Sequence, residues 1–289
     1  LFFAISLIVR LADLQIIQHE SLLAKSEKQS QGTMKTHFGR GTISDRNGNE
    51  LATNLEVESV FVVPQEVRDR EYTSRVLASA LNQNYDRIYR EVSSKKQFAW
   101  IKRKVPAGEI IHLKKLALSG VNFRSEQKRF YPKRELAANV IGFVGTDDLG
   151  LAGIEHTYQE KLKGVVYSQS IEQDGKGRTI QALNKLSRSS LGNYDLMLTL
   201  DEVIQFTTEH HLKKQVDRYK ADSGMVVVMD PYTGEIYAMA NVPQFNPNNF
   251  NAFLRETWKN NAVMSSYEPG SIFKPIVAAA AIDNGIAQP

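Results

Sequence analysis

The sequence predicts an α+β chain of two domains with a boundary near residue 190. Three observations carry that reading. A chain of 289 residues, 42% hydrophobic and 24% charged, has the composition of a globular protein and the length for two domains. Strand and helix patterns alternate along it rather than one type prevailing. The polar stretch NKLSRSSLGN, residues 184–193, separates a long N-terminal part from a unit that opens strand, helix, strand hairpin.

The elements follow in order. LFFAISLIV at the start reaches only about 13 Å as a helix, less than half of a bilayer core of about 30 Å. The next residues, 10–30, place Leu11, Leu14, Ile17 and Leu22 at helical spacing, so they read as an amphipathic helix. A first residue other than Met, followed by this change of pattern, reads as the outer half of a spanning helix that continues into solvent. Residues 1–20 are therefore expected to be the end of a membrane anchor and its juxtamembrane helix. Asn47-Gly48 signals a hairpin with both turn residues at positive φ. A strand at Phe61 to Pro64 and a helix at Ser74 to Asn82 follow. From Arg87 to Arg134 short helices alternate with loops, ending in KRFYPKR. A helix from Ala152 closes at Lys163 and Gly164. Leu196, Leu198 and Leu200 alternate as a strand, and Asp201 is placed to cap the helix DEVIQFTTEHHLKKQVDRY. MVVVMD and EIYAMA then read as two strands joined by the turn PYTG.

Composition removes some functions. With no cysteine there is neither a disulfide framework nor a Cys metal site. The net charge of +4 is small, but it is uneven: Ser93 to Arg134 holds twelve Lys/Arg against Glu109 and Glu126. Such a segment suits an anionic surface such as lipid head groups, or is simply a solvated face. No nucleic-acid motif accompanies it, so nucleic acid is not expected as a partner. His210 and His211 point about 100° apart on a helix and cannot readily share a metal. Asp147-Asp148 lacks the spacing of a calcium loop and reads as a turn.

The chemistry concentrates in SSYEPGSIFKPIVAAAAI, residues 265–282. A serine hydroxyl becomes a nucleophile when a base takes its proton, and a lysine serves as that base only if its pKa, ordinarily about 10.4, is lowered. Three residues apart on a helix, Ser271 and Lys274 share one face. A helix start also presents free N–H groups to an oxyanion. The same spacing occurs at Ser93/Lys96 and Ser125/Lys128, in charged segments where the lysine stays solvated. Only Ser271 follows a Pro-Gly turn and precedes an apolar run, so its helix is expected to be buried and Lys274 partly desolvated. Pro275, inside that helix, is expected to cost a hydrogen bond. From the residues alone, Ser271 is either this nucleophile or the N-cap of a buried helix.

The chain resembles the class B penicillin-binding proteins, the membrane-anchored transpeptidases that cross-link peptidoglycan. Ser-x-x-Lys is one of their motifs. Arg40-Gly41-Thr42-Ile43-Ser44-Asp45-Arg46-Asn47-Gly48, Arg129-Phe130-Tyr131-Pro132 and Gly150-Leu151-Ala152-Gly153-Ile154-Glu155 resemble motifs of the family's non-catalytic domain. Asp230 to Glu235 and Tyr267 to Pro275 follow in the family's order. The resemblance implies a pedestal or dimerisation domain over residues 21–190, elongated. It is followed over 191–289 by the first part of a transpeptidase domain of the serine β-lactamase type. It implies Ser271 as nucleophile toward the penultimate D-Ala of a stem peptide, Lys274 as general base, and β-lactams as acylating inhibitors. No metal or cofactor is implied. Met239-Ala240-Asn241, Asn246-Pro247-Asn248 and Glu268 resemble the cell-division type. The implied partners are a glycan polymerase and small division proteins, at the plasma (inner) membrane with the bulk of the chain on the periplasmic, extracytoplasmic side.

The family's Ser-x-Asn and Lys-Thr-Gly do not follow Lys274, and Lys-Thr-Gly or Lys-Ser-Gly occurs nowhere in the chain. The chain is therefore expected to be a fragment cut at both ends and inactive as it stands. A non-catalytic, membrane-tethered scaffold is the alternative reading, and a β-lactam sensor a more distant one.

Overall fold

The computed structural model describes residues 2–20, 31–173, 179–181 and 193–288. The chain forms two units: Leu1–Lys133 with Phe143–Leu198, and Arg134–Gly142 with Thr199–Pro289. The excursion of residues 134–142 into the second unit has no counterpart in the sequence reading.

The first unit opens with helix α1 (Phe2–Ala12), which passes into a π-helical turn at Asp13–Ile17 rather than continuing as the expected amphipathic helix. The remainder of that expectation, residues 21–30, lies outside the described residues. No helix among the described residues is long and apolar enough to cross a membrane.

Strand β1 (Gln31–Phe38) heads a small sheet, β1-β6-β7, with β6 (Val165–Gln173) and β7 (Thr179–Gln181). The main sheet is built on β3 (Glu50–Val62), which pairs with β2 (Ile43–Ser44), β4 (Ala99–Val105) and β5 (Val121–Phe130). Strand β8 (Leu196–Met197), shorter than the leucine alternation suggested, adds to β2 in parallel. The β2–β3 hairpin forms at Asp45–Asn49 as expected, but only Gly48 takes positive φ, at 86°. The reason is Asp45: its buried carboxylate accepts the N–H groups of Asn47 and Asn49 at 2.8 Å each, folding the turn around a side chain.

Helices α2 (Arg70–Leu81), α3 (Tyr85–Val92) and α4 (Ala107–Leu116) cover one face of β3–β4–β5. Helix α2 starts four residues before the expected Ser74 because Asp69 caps it through Tyr72 N–H at 2.9 Å. Asn84 caps α3 in the same way. The core beneath them includes Val60, Val62, Leu77, Leu81, Ile88 and Ile101, each at most 1% exposed.

Strands β4 and β5 correct the expectation of helices and loops across Arg87–Arg134. Dense Lys and Arg hid the alternation, which survives as buried Ala99, Ile101 and Val105. Much of that basic charge is neutralised in place: Lys102 pairs with Glu109, Arg103 with Glu126 and Asp147, Lys104 with Asp148, and Lys114 with Glu58. Burial pushes the Glu126 carboxyl up, but hydrogen bonds from Arg103 and Ser59 outweigh it and hold the group below its ordinary value. The same pairs absorb Asp147 and Asp148, which sit at a turn as expected.

Two short helices, α6 (Gly153–Thr157) and α7 (Gln159–Leu162), replace the single helix expected from Ala152; the backbone breaks at Tyr158. The motif residues of the first unit meet here. Glu155, fully buried, receives Arg40 Nε on one carboxylate oxygen and Arg129 Nε at 2.6 Å on the other. Arg40 also donates to the Glu155 carbonyl at 2.6 Å and to Gln159 at 2.7 Å. Arg129 donates to Asn54 at 3.3 Å, and Asn54 donates back to the Arg40 carbonyl. Burial, then the Glu155 charge, drives the Tyr131 hydroxyl well above its ordinary pKa.

Candidate active site

The second unit is built on helix α8 (Glu202–Tyr219) and the antiparallel pair β9 (Gly224–Met229) and β10 (Ile236–Val242). Asp201 caps α8 as expected, accepting Val203 and Ile204 N–H at 3.0 and 3.1 Å. The PYTG turn also forms as expected: Asp230 accepts Tyr232 and Thr233 N–H, which lower its pKa, and Gly234 supplies φ 76°.

Gln205, buried on α8, holds β10 as a neighbouring strand would. It accepts Met239 N–H at 2.7 Å and donates to the Met239 carbonyl at 3.0 Å. Its amide also donates to Glu209 at 2.6 Å. Glu209 in turn accepts Ala137 N–H at 2.8 Å, just before the short helix α5 (Ala138–Ile141). Burial raises the Glu209 pKa, partly offset by the Gln205, Ala137 and Gln244 hydrogen bonds. An acid with a raised folded-state pKa stabilises the fold below its ordinary value of about 4.5 and loses that contribution as pH rises through the folded value. Glu209→Gln keeps the acceptor and removes the charge. The unfolding free energy of the native protein should therefore fall relative to this variant as pH rises above 4.5; parallel pH profiles would contradict this.

After β10, 3-10 turns at Pro247–Ala252 and Arg255–Trp258 lead to helix α9 (Asn261–Met264). Asn241 at the end of β10 donates to Asn260 at 3.0 Å and accepts Ala262 N–H at 3.2 Å. The chain then runs exposed to Pro269. Gly270 takes φ 55°, Gly270–Phe273 forms a 3-10 turn, and helix α10 (Lys274–Asp283) begins. In a 3-10 turn residues three apart eclipse, so Ser271 and Lys274 share one side at the helix entrance.

Two expectations about this segment are corrected. Ser271, Lys274 and the apolar run are exposed rather than buried: Ile272 is 74%, Ile276 60% and Val277 56% accessible. Apolar sequence reports what a helix can bury, and nothing among the described residues packs over these side chains deeply enough to bury them. Pro275 costs no hydrogen bond, because it lies in the first turn of α10, where its missing N–H is unneeded.

The other Ser-x-x-Lys pairs lie in different settings. Ser93 ends α3, and Lys96 pairs with Glu91 in solvent. Ser125 lines clefts of about 330 and 620 Å3 in the first unit, but Lys128 lines neither, being three strand positions away on the opposite face. His210 stacks on Phe206 at 6.1 Å, and no metal-binding cluster occurs among the described residues.

Comparison with known proteins follows the same division. The family model of the penicillin-binding protein dimerisation domain matches residues 35–198, and that of the penicillin-binding protein transpeptidase domain matches 224–289. The peptidoglycan D,D-transpeptidase FtsI of Escherichia coli (strain K12) is 33% identical over 98% of this chain and 49% of its own length. Stage V sporulation protein D of Bacillus subtilis (strain 168) is 33% identical over 95% of this chain and 43% of its own. A peptidoglycan synthetase crystal structure from Bifidobacterium adolescentis shares the fold, with a TM-score of 0.58 at 22% identity over 89% of this chain and 52% of that one. The chain spans about half the length of the curated relatives it matches. With an α+β dimerisation domain followed by the start of a transpeptidase domain, the chain belongs to the penicillin-binding proteins.

Proposed function

We propose that the gene product containing this chain is a peptidoglycan D,D-transpeptidase of septal cell-wall synthesis, with Ser271 as nucleophile and Lys274 as its base. The observation that carries the reading is the Ser271/Lys274 pair at a turn-to-helix entrance, within the segment matched by the transpeptidase family model. The cell-division assignment is supported by the name of the FtsI relative.

In this scheme Lys274 takes the Ser271 proton as Oγ attacks the penultimate D-Ala carbonyl of a stem peptide. The C–N bond to the terminal D-Ala breaks, and that amine leaves with the proton. An amine from a neighbouring strand then attacks the ester, forms the cross-link and returns the proton to Ser271. The Ser271 N–H serves as one donor to the developing oxyanion. A β-lactam follows the first half only, since its leaving amine stays tethered to the acyl group. Lys274 acts as a base once the apolar face of Ile272, Ile276 and Val277 is covered by the remainder of the catalytic domain.

The domains in this reading are 1–20, the end of a membrane anchor and its juxtamembrane helix; 21–190, the pedestal; and 191–289, the beginning of the catalytic domain. The protein is held at the plasma membrane by a single span with its bulk extracytoplasmic, beside a glycan polymerase and small division proteins. The test is to incubate the full-length protein with a stem peptide ending in D-Ala-D-Ala and an amine acceptor. Release of one D-Ala per cross-linked product is expected. A folded full-length protein that releases none would contradict the activity.

A further inference from the structure

We infer that Asn139 is a positioning residue for the nucleophile segment, an inference that rests on Ser271 being the nucleophile. Residues Arg134–Gly142 belong to the second unit, although the chain on either side of them belongs to the first. Left-handed backbone marks the excursion at Arg134 (φ 55°), Ala137 (φ 53°) and Gly142 (φ 77°). Such φ values at Arg and Ala persist only where the surroundings over-determine them. What holds this stretch is on both sides of it: Leu136, Ala138 and Ile141 are buried, and Ala137 N–H is bound to Glu209.

Asn139 is the one polar side chain among those buried positions, 5% exposed. A buried amide is costly unless its hydrogen bonds are made. Here Nδ2 donates to two backbone carbonyls, Thr257 O at 2.7 Å and Lys259 O at 2.9 Å. The next residues are held from the other side, where Asn241 binds Asn260 and Ala262 N–H. Two asparagines therefore fix residues 257–262 at both ends. From Val263 to Ile272 the hydrogen bonds are local: Val263 and Met264 N–H to the Asn260 carbonyl, Ser265 N–H and hydroxyl to Asn261, and Ile272 N–H to the Pro269 carbonyl. Residues 257–262 are thus the fixed base from which the nucleophile segment projects, and Asn139 sets the position of that base. It touches no reacting atom; it acts through the chain. A displacement of about 1 Å at a reacting group costs up to about a hundredfold in rate.

The experiment uses the full-length protein and a fluorescent penicillin, measuring both the acylation rate constant and the final stoichiometry of the Ser271 ester. Asn139→Ala removes both donors. The acylation rate constant should fall about ten- to a hundredfold while the stoichiometry still reaches that of the native protein. A merely structural role would lower the stoichiometry with the unfolded fraction and leave the rate constant of the folded molecules unchanged, which would overturn the inference. If Asn139→Ala does not fold, Asn139→Gln replaces it: it keeps the amide and moves it by one methylene, and it should slow acylation at full stoichiometry. An Asn139→Gln protein acylated at the native rate would overturn the inference alone. A native protein with no ester on Ser271 would overturn the functional reading, and this inference with it.

Discussion

Ser271→Ala should abolish covalent trapping of penicillin by the full-length protein while leaving its thermal unfolding unchanged. Ser271 is exposed and lies in a turn whose recorded hydrogen bonds are backbone ones, so loss of its hydroxyl removes chemistry and not packing. Lys274→Met should leave the nucleophile in place but without its base, slowing acylation by about two to four orders of magnitude. The contrast between total loss and slow residual labelling separates the two roles. Equal residual labelling in both variants would place the acyl group elsewhere. Substitution of Ser93 or Ser125 should have no effect on labelling, since Lys96 pairs with Glu91 and Lys128 lies on the opposite strand face from Ser125.

Glu155→Ala should destabilise the first unit by about 3–5 kcal/mol, the cost of leaving buried charges without their partner. Glu155 is 0% exposed, and both guanidinium groups on it, Arg40 and Arg129, have side chains only 3% exposed. Removing the carboxylate strands two cations in a space that water does not reach. The backbone depends on the same node, because Arg40 also grips the Glu155 and Asp148 carbonyls. Trp100 lies on β4 of the first unit and Trp258 in the second, so in the 289-residue chain a Trp258→Phe background makes tryptophan fluorescence report the first unit. Urea unfolding in that background gives the number. A loss below about 1 kcal/mol, the scale of an exposed ion pair, would contradict a dry, structurally committed node. Glu155→Gln, which keeps the acceptor oxygen, should fall between the two.

What the sequence made legible was mostly local. Asp201 as a cap, the Asp230–Gly234 turn and the hairpin after Ser44 each need only a few neighbouring residues, and each formed. The three motifs of the first unit were visible as strings, but their reason was not. Arg40 and Glu155 are 115 positions apart, and Arg129 is 26 from Glu155, so no periodicity links them. Strands β4 and β5 were missed because charged side chains can lie along a sheet when acids meet them from neighbouring elements, as Glu126 and Asp147 meet Arg103. At the candidate site the Ser-x-x-Lys spacing is the same at all three pairs, and it was the Pro-Gly turn before Ser271 that marked the one lying at a turn-to-helix entrance. Burial was misjudged because an apolar run states a need for cover without supplying it. Asn139 left no signal at all: an asparagine between Ala138 and Val140 looks like a surface residue until its two carbonyl partners are seen.

The most direct measurement is to treat the full-length protein with penicillin, digest it and map the added mass by tandem mass spectrometry. The account predicts a single acyl adduct, on the hydroxyl of Ser271. An adduct on another residue, or a folded protein with no adduct, would contradict it.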